Sequence, residues 1–417
     1  MTRHTTRTVL GTGALLLTSS LVLTGCGSGF SEGDSGSTDS GALTSSDDGL
    51  TLLIGSSGDA ETAAVQSAVD AWSKDSGTKV SLQVASDLSQ ELSQGFAAGE
   101  PADLFYLSTD AIAGFAANGS LKAYGDELSN KDDFYPSLVE NFTIDDTFYC
   151  APKDFSTLAL VINSQMWADA GLTDADLPKS WDDLAAVAAK LTTPEHVGLA
   201  FGAEYQRIGA FMAEAGGGLV KDGAAIADDQ ANVDALEYVK SHLVDGTFAY
   251  AKDVGAGWGG EALGKGAAAM VIEGNWITGG MSNDYADVAY TVAELPAGPS
   301  GQGTLQFTNC WGMAADSPNQ TAALDLVEYL TSADSQLAFS EAFGPMPSIK
   351  SAADAWTSAN PELAPFLAGA DYAQFPPNQD GAADVVSDFN AQLESLRTAD
   401  PAQILGSVQS NLEAVVK

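Results

Sequence analysis

The chain has 417 residues, with 17 basic and 56 acidic side chains that give a formal net charge of -39. A surface this acidic repels phosphate backbones and anionic lipid headgroups, so we expect no nucleic-acid partner and no membrane attachment through basic patches. The charge also weighs weakly against an anionic ligand. About 370 residues follow Gly49, which is enough for two lobes of ordinary domain size.

Residues 1–25 have the features of an export signal. Arg3 and Arg7 precede an apolar stretch from Val9 to Leu23, and small residues follow it directly before Cys26. The stretch is short for a membrane span, which needs ~20 predominantly apolar residues. The residues around Cys26 resemble a bacterial lipobox, which implies cleavage before Cys26 and a lipid such as palmitate on its sulfur. An ordinary cleaved signal with a chance cysteine is the alternative.

Residues 26–49 follow this signal and consist almost entirely of Gly, Ser, Thr, Asp and Glu. Such a segment cannot bury enough apolar surface to offset the entropy lost on ordering. We therefore expect a flexible linker between the lipidated cysteine and the folded part of the chain.

Strands and helices alternate after this linker. Ser180 can cap one of the helices, with two aspartates in its first turn. The predicted strands are residues 50–55, 80–84, 102–107, 158–163, 268–272 and 288–292, and the predicted helices are residues 61–73, 88–98, 181–191 and 321–330. This alternation predicts an α/β fold in which helices cover the faces of an open sheet.

The segment after the predicted strand 268–272 is a candidate ligand-binding loop. Glu273, Asn275 and Trp276 follow the strand, and glycines surround them. Because open α/β sheets bind ligands at the carboxyl ends of their strands, we expect these three side chains to face a ligand.

Four stretches resemble the extracellular sugar-binding proteins of ABC importers, in the order in which that family has them. They span about residues 50–345 and read PADLFYLSTDAIAGFAANGSLKAY, FYCAPKDFSTLALVINSQMWADAGL with LPKSWDDLAAVAAKL, GKGAAAMVIEGNW, and WGMAADSPNQTAALDLVEYLTSADSQ. The chain is similar to the large cluster of oligosaccharide-binding proteins that includes maltose-binding protein. The tail after Pro347 matches none of its motifs.

The resemblance implies two α/β lobes that are joined by crossing strands and hold a ligand in the cleft between them. The matched motifs place the crossings near residues 151–155, 307–312 and 344–347. Lobe 1 would then comprise residues 50–151 and 312–345, and lobe 2 residues 152–311 and 346–417. This placement puts Cys150 and Cys310 on neighbouring crossings, where either a disulfide or two separate buried thiols can be expected.

The aromatic candidates follow from the chemistry of sugars, which present apolar C–H faces and hydroxyl rims. Trp276 lies beside glycines at a strand end, which favours ligand stacking over core packing. Trp258 and Trp311 are also next to glycines, and for these two residues the sequence favours neither ligand stacking nor core packing. Trp72, Trp167 and Trp181 lie in helical patterns, which favours the core.

The polar candidates come from their positions at strand ends and crossings. Any one of them could equally be a solvated or helix-capping residue, but together they could converge on one cleft. They are Asp59 and Glu61 after the first strand, Tyr106, Ser108 and Asp110 at the third, and Asp154 and Ser156 on the first crossing, with Lys153 beside them.

The enzyme and cofactor motifs in the sequence are weak. Gly255, Gly257 and Gly260 fit G-x-G-x-x-G without a preceding strand, and Gly266 stands where a P-loop needs Ser or Thr. His196 and His242 lack metal-ligand spacing. We expect no cofactor, no metal and no catalytic residue.

The expected function is capture of a neutral carbohydrate, a di- or oligosaccharide, outside the cell. A protein of this kind delivers its ligand to the permease subunits of an ABC importer, and we expect it to be a monomer anchored to the cell membrane by lipid. Two alternatives remain: an exported glycoside hydrolase, whose carboxylate pair is defined only in space, and a polyamine-binding protein of the same fold.

Overall fold

The computed structural model describes residues 42–416. The predicted signal peptide, Cys26 and the predicted linker as far as residue 41 lie outside this range. The strands are β1 (Leu50–Ile54), β2 (Val80–Val84), β3 (Leu104–Ser108), β4 (Thr143–Ile144), β5 (Thr147–Phe148), β6 (Pro152–Asn163), β7 (Val197–Phe201), β8 (Val220–Lys221), β9 (Ala224–Ala225), β10 (Phe248–Tyr250), β11 (Ala268–Gly274), β12 (Tyr290–Ala293), β13 (Thr304–Met313) and β14 (Ala373–Gln374).

Helices fill most of the segments between these strands. They are α1 (Asp59–Ser76), α2 (Leu88–Ala98), α3 (Ile112–Ala117), α4 (Pro136–Asn141), α5 (Ser164–Asp169), α6 (Trp181–Leu191), α7 (Tyr205–Glu214), α8 (Gln230–Asp245), α9 (Gly259–Gly264), α10 (Ile277–Asp284), α11 (Gln320–Leu330), α12 (Ala333–Phe343), α13 (Ala353–Ala359), α14 (Ala364–Ala368), α15 (Ala382–Leu393) and α16 (Pro401–Val415).

Local sequence explains where several of these elements begin and end. Helix α6 begins after Ser180, whose side chain accepts a hydrogen bond from the backbone N–H of Asp183 at 3.2 Å. Helix α1 ends at Gly77, which has a φ of 80° that side chains with a Cβ rarely adopt. The bounds of β2, α2 and α6 coincide with the sequence prediction.

Ten strands of the described chain form one mixed sheet, in the order β10-β7-β11-β6-β13-β3-β1-β2, with β12 on β6 and β14 on β13. Strand β1 pairs in parallel with β2 and β3, and β7 pairs in parallel with β10 and β11. The long strands β6 and β13 lie between these two parallel groups and are antiparallel to each other. The α/β prediction is therefore confirmed.

The predicted crossings lie side by side. In the β6–β13 pair, Asp154 is opposite Asn309, and a register shift follows at Cys310. Phe155 and Met346 exchange two backbone hydrogen bonds of 3.1 and 3.3 Å, so the chain near residue 346 also lies against β6. All three segments thus meet at one place in the sheet.

A disulfide joins Cys150 to Cys310 beside these segments, with a Cα–Cα distance of 5.7 Å. Both cysteines are buried in the apolar core around β1 and β3, which also contains Trp311. The disulfide therefore links the residue two positions before β6 to a residue within β13.

Two groups of apolar cores flank the long strands. One packs around β1 and β3, and it includes Ile349 and Ala352, which follow the expected lobe boundary at residue 345. The others pack around β6, β7 and β11. The exact lobe boundaries stay a prediction.

The last residues of the predicted linker are bound to the fold. Thr44 donates its hydroxyl hydrogen bond to the Ser317 carbonyl at 2.7 Å, and its own carbonyl accepts the backbone N–H of Thr321 at 3.0 Å. Asn319 donates to the carbonyl of Asp48 at 2.9 Å. The bond from Thr321 satisfies a backbone N–H in the first turn of α11, and together the three bonds dock the segment from Thr44 to Asp48 on the fold. Among the helices described, none combines the length and the apolar character that a membrane crossing needs.

Candidate functional site

A cleft opens at the carboxyl ends of β1, β3 and β11, beside the crossing strands. It contains a smaller cavity of about 440 Å³ and, adjoining it, a larger cavity of about 870 Å³. Five residues line both cavities: Ser57, Glu61, Trp276, Phe343 and Gly344. The cleft thus lies where an open α/β sheet is expected to bind its ligand.

Seven of the predicted site residues line this cleft. They come from the start of α1, from β3, from β6 and from the loop after β11: Asp59, Glu61, Tyr106, Asp154, Ser156, Asn275 and Trp276. Their role in binding stays a prediction, but the structure does bring them together.

Trp276 presents its ring to both cavities. It is 38% exposed, and it is one of three large apolar side chains in residues 42–416 that are exposed to this degree. Its ring meets that of Phe307 edge to face, with 5.6 Å between the centroids. A Cβ at Gly274 would lie 2.3 Å from the ring, so only glycine leaves the room that this conformation needs.

Glu273 does not face the cleft, contrary to the expectation from sequence. It is the second-last residue of β11 rather than a loop residue, and it is 1% exposed. Its carboxylate accepts hydrogen bonds from the Trp276 indole at 3.0 Å and from the Gly259 N–H at 3.1 Å, and it pairs with Arg207 at 2.8 Å. Burial raises the pKa of this carboxyl, and the Arg207 guanidinium opposes the shift.

A buried group of charges forms the floor of the cleft. The Lys153 ammonium lies 3.1 Å from Oε1 of Glu61 and also contacts the carboxylate of Asp154. It lies 4.5 Å from the centre of the Tyr106 ring, whose hydroxyl donates to Glu61 at 3.0 Å. The N–H and hydroxyl of Ser57 donate to the second oxygen of Glu61, both at 2.7 Å.

These contacts set the charges of the group. Burial alone would raise the pKa of Glu61, but the Lys153 ammonium and the Ser57 donors outweigh it and lower that pKa. Burial works against the charge of Lys153, yet the carboxylates around it raise its pKa. Burial raises the pKa of Asp154 against the pull of Lys153.

Hydrogen-bonding groups remain available above this floor. Within the described chain, neither Oδ1 of Asp154 nor the side-chain amide of Asn309 has a hydrogen-bond partner, and both residues line the smaller cavity. Asn275 instead uses its N–H to reach Ser156 at 3.0 Å and its side-chain amide to reach the Gly344 carbonyl at 2.9 Å. The last bond links the loop after β11 to the segment after α12.

Four further predicted residues lie outside the lining. Trp311 is fully buried and packs edge to face on Tyr106 at 5.0 Å, so it is a core residue. Trp258 is partly buried with its ring over Gly260 and Gly280. Ser108 ends β3 and Asp110 is exposed, whereas Thr109 between them lines the smaller cavity.

Sequence reasoning missed most of the apolar walls. Phe155, Phe307 and Phe343 line the smaller cavity. Phe155 and Phe307 lie at the ends of predicted crossings, so their positions in the sequence could have identified them as lining residues. Arg207, which contacts Trp276 from α7, had no such signal. In residues 42–416 there is no cluster of three or more His, Cys, Asp or Glu side chains that could hold a metal ion.

The sheet, its crossing strands and the cleft between two groups of cores define a two-lobed binding protein. Residues 67–365 match the family described as bacterial extracellular solute-binding protein, and the chain belongs to that family. The family places the protein outside the cytoplasm.

Two curated relatives are each 25% identical to this chain. A binding protein of Brucella abortus (strain 2308) matches over 354 residues, covering 79% of this chain and 83% of its own length. The diacetylchitobiose binding protein DasA of Streptomyces coelicolor matches over 283 residues, covering 64% of this chain and 65% of its own.

Solved structures of lower identity share the fold. The GacH receptor of Streptomyces glaucescens, solved without ligand and with acarbose, superposes with a TM-score of 0.76 at 22% identity. The cyclic α-maltosyl-1,6-maltose binding protein of Arthrobacter globiformis gives 0.78 at 20% identity. Each match covers 88% of this chain and 98% of the other chain.

Proposed function

We propose that this protein captures a neutral carbohydrate in the cleft and delivers it to the permease subunits of an ABC importer. The observation that carries the proposal is the exposed ring of Trp276 at the cavity wall. Exposing a ring this large to water is unfavourable unless a partner covers it, and the apolar face of a sugar ring is such a partner. The sugar-related names of the similar proteins support the same ligand class.

The polar groups around the ring suit the hydroxyl rim of a sugar. Asp154 offers an acceptor, and Asn309 offers both a donor and an acceptor. The two residues are opposite each other in the β6–β13 pair, so one hydroxyl-bearing ring could bond to both. We propose these two residues with Trp276 as the principal ligand contacts.

An amine-bearing ligand is the second candidate. The larger cavity is lined by the carboxylates of Asp59, Glu61, Glu341 and Glu362, and no Lys, Arg or His is among its lining residues. Two cations work against this candidate, since Lys153 lies at the floor and Arg207 lies over the Trp276 ring at 5.2 Å. An ammonium stacked on the other face of that ring would meet this second positive charge.

A thermal-shift screen separates these candidates. Neutral mono-, di- and oligosaccharides are tested beside spermidine, and a sugar present at 100 times its Kd should add ~2.7 kcal/mol to the stability of the fold. A shift with spermidine alone would reject the carbohydrate proposal. Chromatography of each stabilising sugar after long incubation tests the hydrolase alternative, because a binder returns it uncleaved.

We also propose that the protein is a lipoprotein, with a signal peptide at residues 1–25 and a lipid on Cys26. The lipobox-like residues before Cys26 and the polar segment after it support this attachment. The lipid would keep the cleft close to the importer while the polar segment gives it reach. We propose that the protein acts as a monomer.

A further inference from the structure

We propose that Arg207 and Glu273 form a positioning pair that holds the Trp276 ring in the cleft before any ligand arrives. Neither residue lines the cleft, so both would act through the tryptophan. The functional meaning of the pair rests on the proposed role of Trp276 as a ligand platform. Its effect on the ring can be measured without a ligand.

Glu273 fixes the polar edge of the ring. The indole Nε1–H donates to its Oε2 at 3.0 Å, and the same carboxylate is only 1% exposed. A hydrogen bond to a buried carboxyl group that is paired with a guanidinium is stronger than one to water-exposed groups, and it sets a direction for the indole. Oε1 of the carboxylate is occupied by the N–H of Gly259, so Glu273 itself cannot turn freely.

Arg207 fixes one face of the ring. Its guanidinium carbon lies 5.2 Å from the ring centroid, and its Nη2 lies 2.8 Å from Oε2 of Glu273. The same oxygen of Glu273 therefore holds both the cation and the indole N–H. Arg207 is 12% exposed, and its Nε has no hydrogen-bond partner within the described chain. Such a guanidinium is held mainly by the carboxylates and the aromatic face.

Two further contacts leave the ring little freedom. Phe307 meets it edge to face, and the backbone of Gly274 lies under its six-membered ring. With its N–H bonded and its ring in contact with three neighbours, Trp276 has little freedom to turn, while its exposed part lines both cavities. A ring ordered in advance loses less entropy when a ligand stacks on it, which strengthens binding.

The test is a ¹⁹F NMR spectrum of the ligand-free protein labelled with 5-fluorotryptophan. The seven tryptophans give resonances that can be compared one by one, and Trp276→Phe assigns the signal of interest. Arg207→Gln and Glu273→Ala remove the two halves of the pair. Removing the buried Glu273 carboxyl group can destabilise the fold, so a milder variant is included. Arg207→Lys retains the positive charge but loses the planar stack on the ring.

The proposal predicts that in Arg207→Gln and Glu273→Ala the Trp276 signal broadens or splits, and that its shift between H₂O and D₂O grows about twofold or more. The five signals other than those of Trp276 and Trp258 should stay in place, and Arg207→Lys should give an intermediate spectrum. Trp258 is compared only in the Arg207 variants, because Glu273→Ala removes the acceptor of its neighbour Gly259. Arg397→Gln, which breaks an exposed ion pair with Asp253, is the matched control and should change nothing at Trp276.

Two results would overturn the proposal. One is an unchanged Trp276 signal in all the folded variants of the pair. The other is an equal change at all seven signals, which would make the pair a general packing element. Neither result depends on sugar binding, so a failure of the carbohydrate proposal would be seen separately in the thermal-shift screen.

Discussion

Lys153 on β6 and Glu61 on α1 form a buried ion pair, with 3.1 Å between the ammonium and Oε1 of the carboxylate. The side chains are 7% and 4% exposed, so water contributes little to their solvation. Tyr106, Ser57 and Asp154 supply the remaining partners. The pair connects the first crossing strand to the helix that begins at the rim of the cleft.

Replacing the cation of this group should destabilise the protein strongly. Lys153→Met leaves the buried carboxylate of Glu61 and the partly buried carboxylate of Asp154 without a positive partner, and breaking a buried pair in this way costs about 3–5 kcal/mol. Urea denaturation measures the change. Lys265→Met is the control, since its partner Glu261 is at the surface and little change is expected. Equal effects of the two substitutions would show that burial does not strengthen the Lys153 group.

Glu214 should make the stability of the protein depend on pH. Burial raises the pKa of this carboxyl well above 4.5, and only a hydrogen bond from Trp181 opposes the shift. The folded state therefore holds the proton more tightly than the unfolded state. Its stabilising effect is complete below about pH 4.5 and is lost as the pH rises through the folded pKa, at up to ~1.4 kcal/mol per pH unit.

Glu214→Gln isolates this effect because the amide can still accept the Trp181 hydrogen bond but cannot ionise. We expect the variant and the wild type to be similar in stability at pH 4 and the variant to be more stable at pH 8. Urea denaturation at several pH values gives the two curves. Parallel curves would mean that Glu214 titrates as it does in the unfolded chain.

The disulfide should contribute much of the stability of the crossing region. Cys150 and Cys310 are 160 residues apart in the chain. Closing a loop of this length lowers the conformational entropy of the unfolded state, which raises its free energy by up to ~5 kcal/mol. We expect Cys150→Ala/Cys310→Ala to lower the free energy of unfolding towards that extent. Thiol titration of unfolded, unreduced protein that lacks residues 1–26 should find no thiol, and two titratable thiols would contradict the bridge.

Lipid attachment is tested in the native host. We expect the wild-type protein to sediment with membranes and Cys26→Ser to remain in the soluble fraction, because one or more acyl chains provide the attachment. Mass spectrometry of the amino-terminal peptide gives the modification directly. An unmodified Cys26 at the mature amino terminus would remove this proposal.

Much of the fold could be predicted from local sequence. Ser180 and the apolar spacing behind it define α6, and the alternation in residues 80–84 defines β2, because these signals act within a few residues. The order of strands in the sheet could not be derived in this way. Pairing of β6 with β13 joins residues about 150 positions apart, and only the family resemblance pointed to it.

The site was predicted in part, for a related reason. Trp276 could be found because the glycines beside it mark a strand end that needs room for a ring. Glu273 was placed wrongly, because a strand that extends by two residues turns its carboxylate away from the cleft and towards Arg207. Trp311 also has a glycine neighbour, but it lies in the apolar core around β1 and β3, beside Tyr106 of the neighbouring strand. A single sequence does not reveal which face of a strand is covered.

The central claim is that a sugar stacks on Trp276 in the cleft. The most direct test is calorimetric titration of Trp276→Ala and Trp311→Phe with the neutral sugar that gives the largest thermal shift on the wild type. Loss of the stacking surface should cost about 1–2 kcal/mol of binding free energy. We expect Trp276→Ala to bind about tenfold or more weakly than the wild type. Its melting temperature without ligand should fall only modestly, through the lost contacts with Glu273, Arg207 and Phe307.

Trp311→Phe should behave in the opposite way, since it removes part of a fully buried side chain and leaves the cleft wall in place. It should melt at a lower temperature and keep nearly its full affinity for the sugar. If Trp276→Ala instead melts far lower without ligand and binds the sugar as tightly as the wild type, Trp276 is a packing residue and the proposed site is wrong.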